Sequence, residues 1–220
     1  MESRFLVAWS GGIDSTYCLW WALNEIDGGY LTAKHIQLIN REGRHQAEWA
    51  AIQRIMPLMK KYGNFDLSVS TLDVMSDSKP RFMLRDHFYM LTILFGAAIN
   101  HIYNKQLRTT IITGNDNVIK STLIKYYSKS YKLMRELHPN ISPRLYTSPS
   151  ILMPVFYYNR NKQVKEMPYE IAIQTHSCRK PIKISDKWLN CGNCMVCKKL
   201  KLKKRSFTNR SYIDRVKKIK

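Results

Sequence analysis

Along residues 1–138, short apolar runs that suit buried strands take turns with longer stretches whose apolar positions recur at helical spacing. Residues 5–8, 35–39, 66–71 and 109–113 predict strands, and residues 16–26, 46–62, 86–103 and 119–137 predict helices. In the second helix Trp49, Ile52, Ile55, Met56 and Met59 share one face, a stripe that belongs to a core rather than to a cofactor pocket. Strand and helix in alternation predict an α/β fold, a doubly wound parallel sheet with helices on both faces. Ligands of such sheets bind beyond the carboxyl ends of the strands. Residues 10–16, 40–44 and 114–117 fall at such ends and are expected to converge on one crevice. After Pro139 the pattern becomes irregular, punctuated by Pro143, Pro149 and Pro154, with no internal repeat. The expected division is an α/β domain, residues 1–138, and a tightly associated C-terminal extension, residues 139–220.

Composition narrows the setting. With 220 residues and 45% hydrophobic content the chain can bury one sizeable core. No apolar stretch reaches membrane-spanning length; the longest, residues 88–99, is interrupted by Thr92, Gly96, Ala97 and Ala98. No charged segment followed by an apolar one opens the chain, so a cytoplasmic protein with reduced thiols and no membrane contact is expected. Lys and Arg number 36 against 16 Asp and Glu, a net charge of +20 that points to anionic partners. Residues 198–220 alone hold 11 of those basic residues against Asp214 only. That tail is a candidate nucleic-acid contact; the alternative is a solvated, solubilising face.

The candidate chemistry begins where the first strand ends. Residues 5–8 break into Ser10-Gly11-Gly12-Ile13-Asp14-Ser15-Thr16 before an amphipathic stretch resumes. Two glycines let the backbone turn sharply and bring N–H groups close to an anion. The helix that follows offers unpaired N–H groups and a positive dipole end. Ser10, Ser15 and Thr16 add hydroxyls, and Asp14 is a candidate ligand for a magnesium ion bridging phosphate oxygens. No GxxxxGK[ST] occurs here, so the loop is not the one with which kinases and GTPases grip a transferable γ-phosphate. An ordinary helix cap after a glycine turn is the competing interpretation.

Four of the five cysteines cluster at the other end of the chain. Cys178 precedes Cys191-Gly192-Asn193-Cys194-Met195-Val196-Cys197, two overlapping CxxC pairs with Gly192 relieving the turn. Four thiolates suit a closed zinc site; a disulfide pair and an iron–sulfur cluster use similar spacings and stay open. Cys18, alone on the first helix, is expected to be a small buried hydrophobe.

Both ends resemble one superfamily. Ser10-Gly11-Gly12-Ile13-Asp14-Ser15 resembles the SGGxDS signature of the PP-loop (N-type) ATP pyrophosphatases, which cleave ATP between its α- and β-phosphates and adenylylate a substrate. Thr175-His176-Ser177-Cys178 followed by CGNCMVC resembles the zinc-binding signature of 7-cyano-7-deazaguanine synthase, the QueC family. Between them, residues 43–51 look like the family's GQRHxxE segment, and Thr113-Gly114-Asn115 like the end of its fourth strand. Residues 80–86 are similar to its segment before the third helix, and residues 154–164 to its P-[LI]-x-x-x-x-K-x-x-V segment.

The resemblance implies a Rossmann-like fold of the adenine nucleotide alpha hydrolase (HUP) type with a small zinc-bearing extension. It implies that Ser10, Gly11, Gly12, Asp14, Ser15, Thr16 and Gly114 bind ATP and pyrophosphate, with Asp14 positioning magnesium. Lys162, Arg85 and Arg44 would stabilise charge on phosphate or substrate, and Cys178, Cys191, Cys194 and Cys197 would hold a structural zinc. The implied substrates are 7-carboxy-7-deazaguanine and ammonia, the implied product the nitrile made through an adenylylated acid and an amide, and the implied assembly a homodimer.

Departures from the pattern leave other outcomes open. His176 stands where the family has Trp, twelve residues separate Cys178 from Cys191, and residues 115–121 lack the family's substrate-side element. The chain would then stop at the amide or transfer the activated deazapurine to a macromolecule. Two further classes compete: a PP-loop tRNA-modifying enzyme of the thiolase type, and a non-catalytic zinc module that binds nucleic acid.

Overall fold

Along β1 (Ser3–Ala8) successive side chains point to opposite faces of the sheet, and both faces are buried. Leu6 and Ala8 enter one apolar cluster with Leu94, Phe95 and Ala98 of α3 (Asp86–Lys105). Val7, and Trp9 just beyond, enter the other with Ile13, Tyr17, Leu19 and Ala22 of α1 (Ile13–Glu25) and Ala51, Ile52, Ile55 and Met59 of α2 (His45–Met59). The sheet is thus covered on both sides, as the alternating pattern predicts. The computed structural model describes residues 3–39, 43–73, 86–105, 108–114, 150–156, 159–206 and 208–218, with single positions at 129, 132 and 136. Arg85, residues 40–42, residues 115–121 and the continuous helix predicted over 119–137 lie outside the described residues.

Among the described residues, β2 (Tyr30–Ile39), β3 (Asp66–Asp73), β4 (Arg108–Ile112) and β5 (Ser150–Leu152) join β1 in a five-stranded sheet of order β3-β2-β1-β4-β5. Every pairing is parallel, with Val7 of β1 opposite Ala33 of β2 and Ile112 of β4. The order reverses at β1 and β4, so their carboxyl ends flank the crevice in which such sheets bind ligands. The fold is therefore the Rossmann-like doubly wound one. Residues 150–152 lie beyond the predicted boundary at 138 yet form the edge strand of the main sheet. Helix α2 ends at Met59, short of the predicted Tyr62: the Lys60 N–H still reaches Met56, but those of Lys61 and Tyr62 reach back only three residues, to Leu58 and Met59.

The C-terminal part packs into the same core. Helix α4 (Arg160–Glu166) is capped by Asn159, whose Oδ1 accepts the Lys162 N–H at 2.9 Å. It is tied to α1 by the Tyr17 hydroxyl, which donates to Glu166 at 2.5 Å. Short α5 (Tyr169–Ala172) and α7 (Arg210–Lys218) contribute Ile171, Ala172, Tyr212, Ile213 and Val216 to the cluster that contains Val7. A hairpin of β6 (Ile182–Ile184) and β7 (Lys187–Leu189) fills most of the long gap between Cys178 and Cys191, and α6 (Met195–Lys199) follows Cys194. No described helix is long and apolar enough to cross a membrane.

Beneath the crevice His35 is fully buried on β2, its Nδ1–H donating to the Trp9 carbonyl at 3.0 Å and its ring stacked on Trp49. Burial pulls its pKa down to about 4; the Trp9 carbonyl opposes that shift and His45 adds to it. The unfolded chain, with an ordinary imidazole near 6.5, takes up this proton first as pH falls. The contribution of neutral His35 to stability is therefore complete above about pH 6.5 and lost toward pH 4, by up to about 1.4 kcal/mol per pH unit. Urea unfolding across that window should show a shallower acid loss for His35→Gln than for the wild type; parallel curves would contradict the assignment.

Candidate functional site

Three backbone segments meet at the carboxyl end of β1. Gly11 holds φ at +71°, and a Cβ there would stand 3.0 Å from both the Ala51 Cβ and the Glu48 carbonyl oxygen of α2. Gly12 caps α1 with no side-chain bond, its φ of −79° open to any residue. Gly114, at the end of β4, lies against the start of α1: a Cβ would come 2.8 Å from the Asp14 carbonyl carbon. The helix begins at Ile13, three residues earlier than the pattern predicts, which places Asp14 and Ser15 in its first turn. Their N–H groups meet no protein acceptor among the described residues and face the crevice with the helix dipole behind them.

The hydroxyls divide the work. Ser10 and Ser15 bond side chain to side chain at 3.0 Å, and the Ser10 N–H donates to the Ser15 Oγ at 3.1 Å, folding the loop around its rim. Thr16 is fully buried and its Oγ1 accepts the Trp9 indole N–H at 3.1 Å, so it braces the loop from beneath. Asp14 sits at the lip, where Arg160 of α4 donates to both of its carboxylate oxygens, at 2.9 and 2.5 Å. Tyr212 is held close by through a 2.7 Å hydrogen bond from its hydroxyl to Asn161; burial and the Asp14 charge raise its phenol pKa while Arg160 lowers it.

Of the basic residues singled out in the sequence, Arg44 lies just before α2 and pairs with Glu48 at 3.1 Å. Lys162 is exposed and pairs along its own helix with Glu166 at 3.7 Å. The structure brings Arg160, not Lys162, to the loop. The signal was present: six residues after Pro154, where the P-[LI]-x-x-x-x-K pattern puts its cation, the sequence has Arg160.

The fourth wall comes from residues 175–178. The His176 N–H donates to the Gly11 carbonyl at 2.9 Å, and the Ser177 Oγ accepts the Ile13 N–H at 3.4 Å. Asn209 locks this segment, donating from Nδ2 to Thr175 Oγ1 at 3.0 Å and to Ser177 Oγ at 2.9 Å. No sequence signal marked Asn209. The next residue, Cys178, joins Cys191, Cys194 and Cys197 with all four sulfurs within 4.8 Å of one another. The pairs Cys178–Cys194 and Cys191–Cys197 stand 3.9 and 4.0 Å apart. A tetrahedral ion with metal–sulfur bonds of about 2.3 Å places its sulfurs about 3.8 Å apart. Backbone N–H groups of Cys191, Asn193, Cys194 and Cys197 point at these sulfurs, as they do where thiolates bind metal. Burial raises the Cys178 pKa to about 12; at Cys194 burial is outweighed by N–H donors of Cys197 and Arg179, which bring it to about 6. Cys18 is buried away from this cluster, and burial pushes its thiol pKa far up.

The fold and site together define an α/β protein with a glycine loop and an open helix N-terminus at its topological switch point, and a four-cysteine cluster joined to that loop through residues 175–178. No family model and no curated protein sequence matches the chain. Among solved structures it is similar to the U34-tRNA thiolase NcsA from Methanococcus maripaludis with its 4Fe–4S cluster, at 13% identity and a TM-score of 0.42 over 99% of this chain. It is also similar to a 4-thiouridine synthetase in complex with RNA and ATP, at 14% identity and a TM-score of 0.47 over 98% of this chain. The chain spans 64% and 50% of the lengths of those two proteins.

The two loop glycines differ in a way that stability measurements detect. Gly11→Ala would force a side chain into a left-handed φ and against α2, costing about 1–3 kcal/mol, whereas Gly12→Ala has room and an ordinary φ and should cost under about 1 kcal/mol. Equal unfolding midpoints for the two variants would show that the loop is not anchored as described.

Proposed function

We propose that the chain is an ATP pyrophosphatase-type enzyme that adenylylates a carboxylate and replaces the adenylate with nitrogen. The substrate that its two motifs favour is 7-carboxy-7-deazaguanine, with ammonia as co-substrate and 7-cyano-7-deazaguanine as product. The observation that carries this reading is the joining of the motifs: Thr175-His176-Ser177-Cys178 bonds the loop at Gly11 and Ile13 and supplies a sulfur to the four-cysteine site.

A carboxylate would have to expel oxide to react with ammonia, so it is activated first. Its oxygen attacks the α-phosphorus of ATP, and the bond to the β-phosphate oxygen breaks as pyrophosphate leaves. The N–H groups of Asp14 and Ser15 and the hydroxyls of Ser10 and Ser15 would receive the departing charge. Ammonia then adds to the acyl carbon, AMP leaves, and the released proton goes to solvent. For the nitrile, a second ATP adenylylates the amide oxygen, and loss of AMP with the amide protons forms the triple bond.

Asp14 and phosphate oxygens would hold magnesium, which spreads charge over the leaving pyrophosphate when bound. Both Asp14 oxygens accept hydrogen bonds from Arg160, so a cation arriving there frees the guanidinium for a phosphate or carboxylate. Cys178, Cys191, Cys194 and Cys197 fit one zinc, closed by four thiolates and therefore structural. A cluster of the thiolase type distributes its cysteines over several irons and spreads the sulfurs wider than this set.

Incubation with 7-carboxy-7-deazaguanine, ATP, magnesium and ammonium, followed by mass analysis, should show conversion of the acid with pyrophosphate release. No ATP-dependent loss of the acid would reject this substrate. One zinc per chain by elemental analysis, without a visible absorption band after anaerobic purification, is expected; such a band would favour the tRNA-thiolating alternative. In the same assay Arg160→Ala should lower kcat/KM at least about tenfold, or about 1.4 kcal/mol, while Lys162→Ala stays within about twofold. The reverse ranking would restore Lys162 as the working cation.

A further inference from the structure

The charge excess that the sequence assigns to a tail is arranged differently in space. Two cations of α7 are occupied in capping backbone carbonyls: Arg215 donates to those of Leu200 and Lys201 at 2.6 and 3.2 Å, and Lys217 to that of Met167 at 2.8 Å. The denser share of the surface charge lies in the cysteine module, residues 179–206, which holds 10 Lys and Arg and one acid, Asp186. Lys183, Lys187, Lys198, Lys199, Lys204 and Arg205 are all exposed, and none enters an ion pair among the described residues. Four thiolates around a divalent ion carry about two negative charges, which two cations offset. The remainder of these six have no ion-pair partner among the described residues.

The module holds these groups as one unit. The return loop that carries Lys204 and Arg205 is paired to the end of β7: the Asn190 N–H donates to the Ser206 carbonyl and the Arg205 N–H to the Asn190 carbonyl, both at 2.8 Å. Lys204 lies so close on the cysteine turn that a Cβ on Gly192 would stand 2.8 Å from its own Cβ. Lys201 and Arg205 hold φ values of 48° and 62°, a conformation that ordinary side chains avoid. Strain of this kind persists where surrounding structure fixes it, and here it fixes basic residues at the surface.

Apolar groups are interleaved with the cations. Met195 is 73% exposed, Ile184 41% and Ile182 37%. Trp188, half-buried on β7, has the Lys183 ammonium 5.8 Å from its ring centroid. A duplex presents phosphates and hides its base faces, and would use the lysines alone. Unpaired nucleotides present both, and an aromatic ring set among cations receives both. We propose that residues 179–206 form a binding face for single-stranded nucleic acid, with the cations on phosphates and Trp188 and Met195 against bases. This face is separate from the ATP chemistry and does not depend on it.

Fluorescence anisotropy with the full chain, at about 0.15 M salt, tests the face with labelled single-stranded RNA, single-stranded DNA and duplex of about 12 nucleotides each. Either single strand should bind more tightly than the duplex, and the tighter of the two identifies the natural polymer. Trp188→Ala should weaken single-strand binding about tenfold, and Lys198→Glu with Lys199→Glu, a pair wholly on the surface, by at least as much. Unchanged metal content and unfolding midpoint show that the fold is intact; if Trp188→Ala shifts them, the lysine pair decides. No single-strand binding, a duplex bound as tightly, or lysine variants with wild-type affinity would overturn the proposal.

Discussion

The hydrogen bond from the His176 N–H to the Gly11 carbonyl is the constraint on which the site depends. Gly11 can offer that carbonyl only because its φ is +71°, which also lets its Cα face α2 where a Cβ would strike Ala51 and the Glu48 carbonyl. One residue is thus the meeting point of β1, α2 and the segment that leads to the cysteines. A single backbone bond contributes only about 1 kcal/mol net. Its weight here comes from company: Ser177 takes the neighbouring Ile13 N–H, and Asn209 fixes Ser177 and Thr175 from behind. Residues about 165 positions apart in the chain hold one another, so the closure is maintained by the buried cluster behind them rather than by any one contact.

Much of the fold was legible because its signals are local. Val7 and Leu6 must face opposite ways in a strand, and both are apolar, so a buried strand is legible in a few residues, and the alternation of strand and helix makes the sheet parallel. The glycine loop and the cysteine spacing were legible for the same reason: each is a backbone demand written in consecutive residues. What the sequence could not express is pairing at a distance. The Asp14–Arg160 contact joins two helices 146 residues apart, and although counting from Pro154 puts a cation at Arg160, no local signal names Asp14 as its partner. In the structure the pairing is plain, since Asn159 caps α4 and turns Arg160 toward α1 while Lys162 points along the helix to Glu166. Likewise β5 reads as three residues in a proline-rich stretch, and only the open edge of β4 makes it a strand.

Thr16 shows how one residue type can serve a loop in two ways. Its hydroxyl was assigned to the anion with those of Ser10 and Ser15, yet it accepts the Trp9 indole in the core. The cause is helical phase. Starting α1 at Ile13 rather than at Thr16 rotates Thr16 onto the buried side, beside Tyr17, and leaves Asp14 and Ser15 at the exposed first turn. A three-residue error in a helix start, small as a boundary error, therefore reassigns which side chains can meet a ligand.

The same geometry bears on how the two ends of the molecule communicate. From the nitrogen that bonds Gly11 to the sulfur of Cys178 the chain is two residues long, an extended reach of about 7 Å. Over that distance a displacement of Cys178 has little slack in which to dissipate, because Ser177 between them is held by Asn209 and by the N–H of Ile13. The positions of the sulfurs and the shape of the glycine loop are consequently coupled. On the proposed function, that coupling gives a metal held by the four cysteines a role beside the loop: it would fix, from outside the sheet, the wall that the loop cannot supply from its own residues.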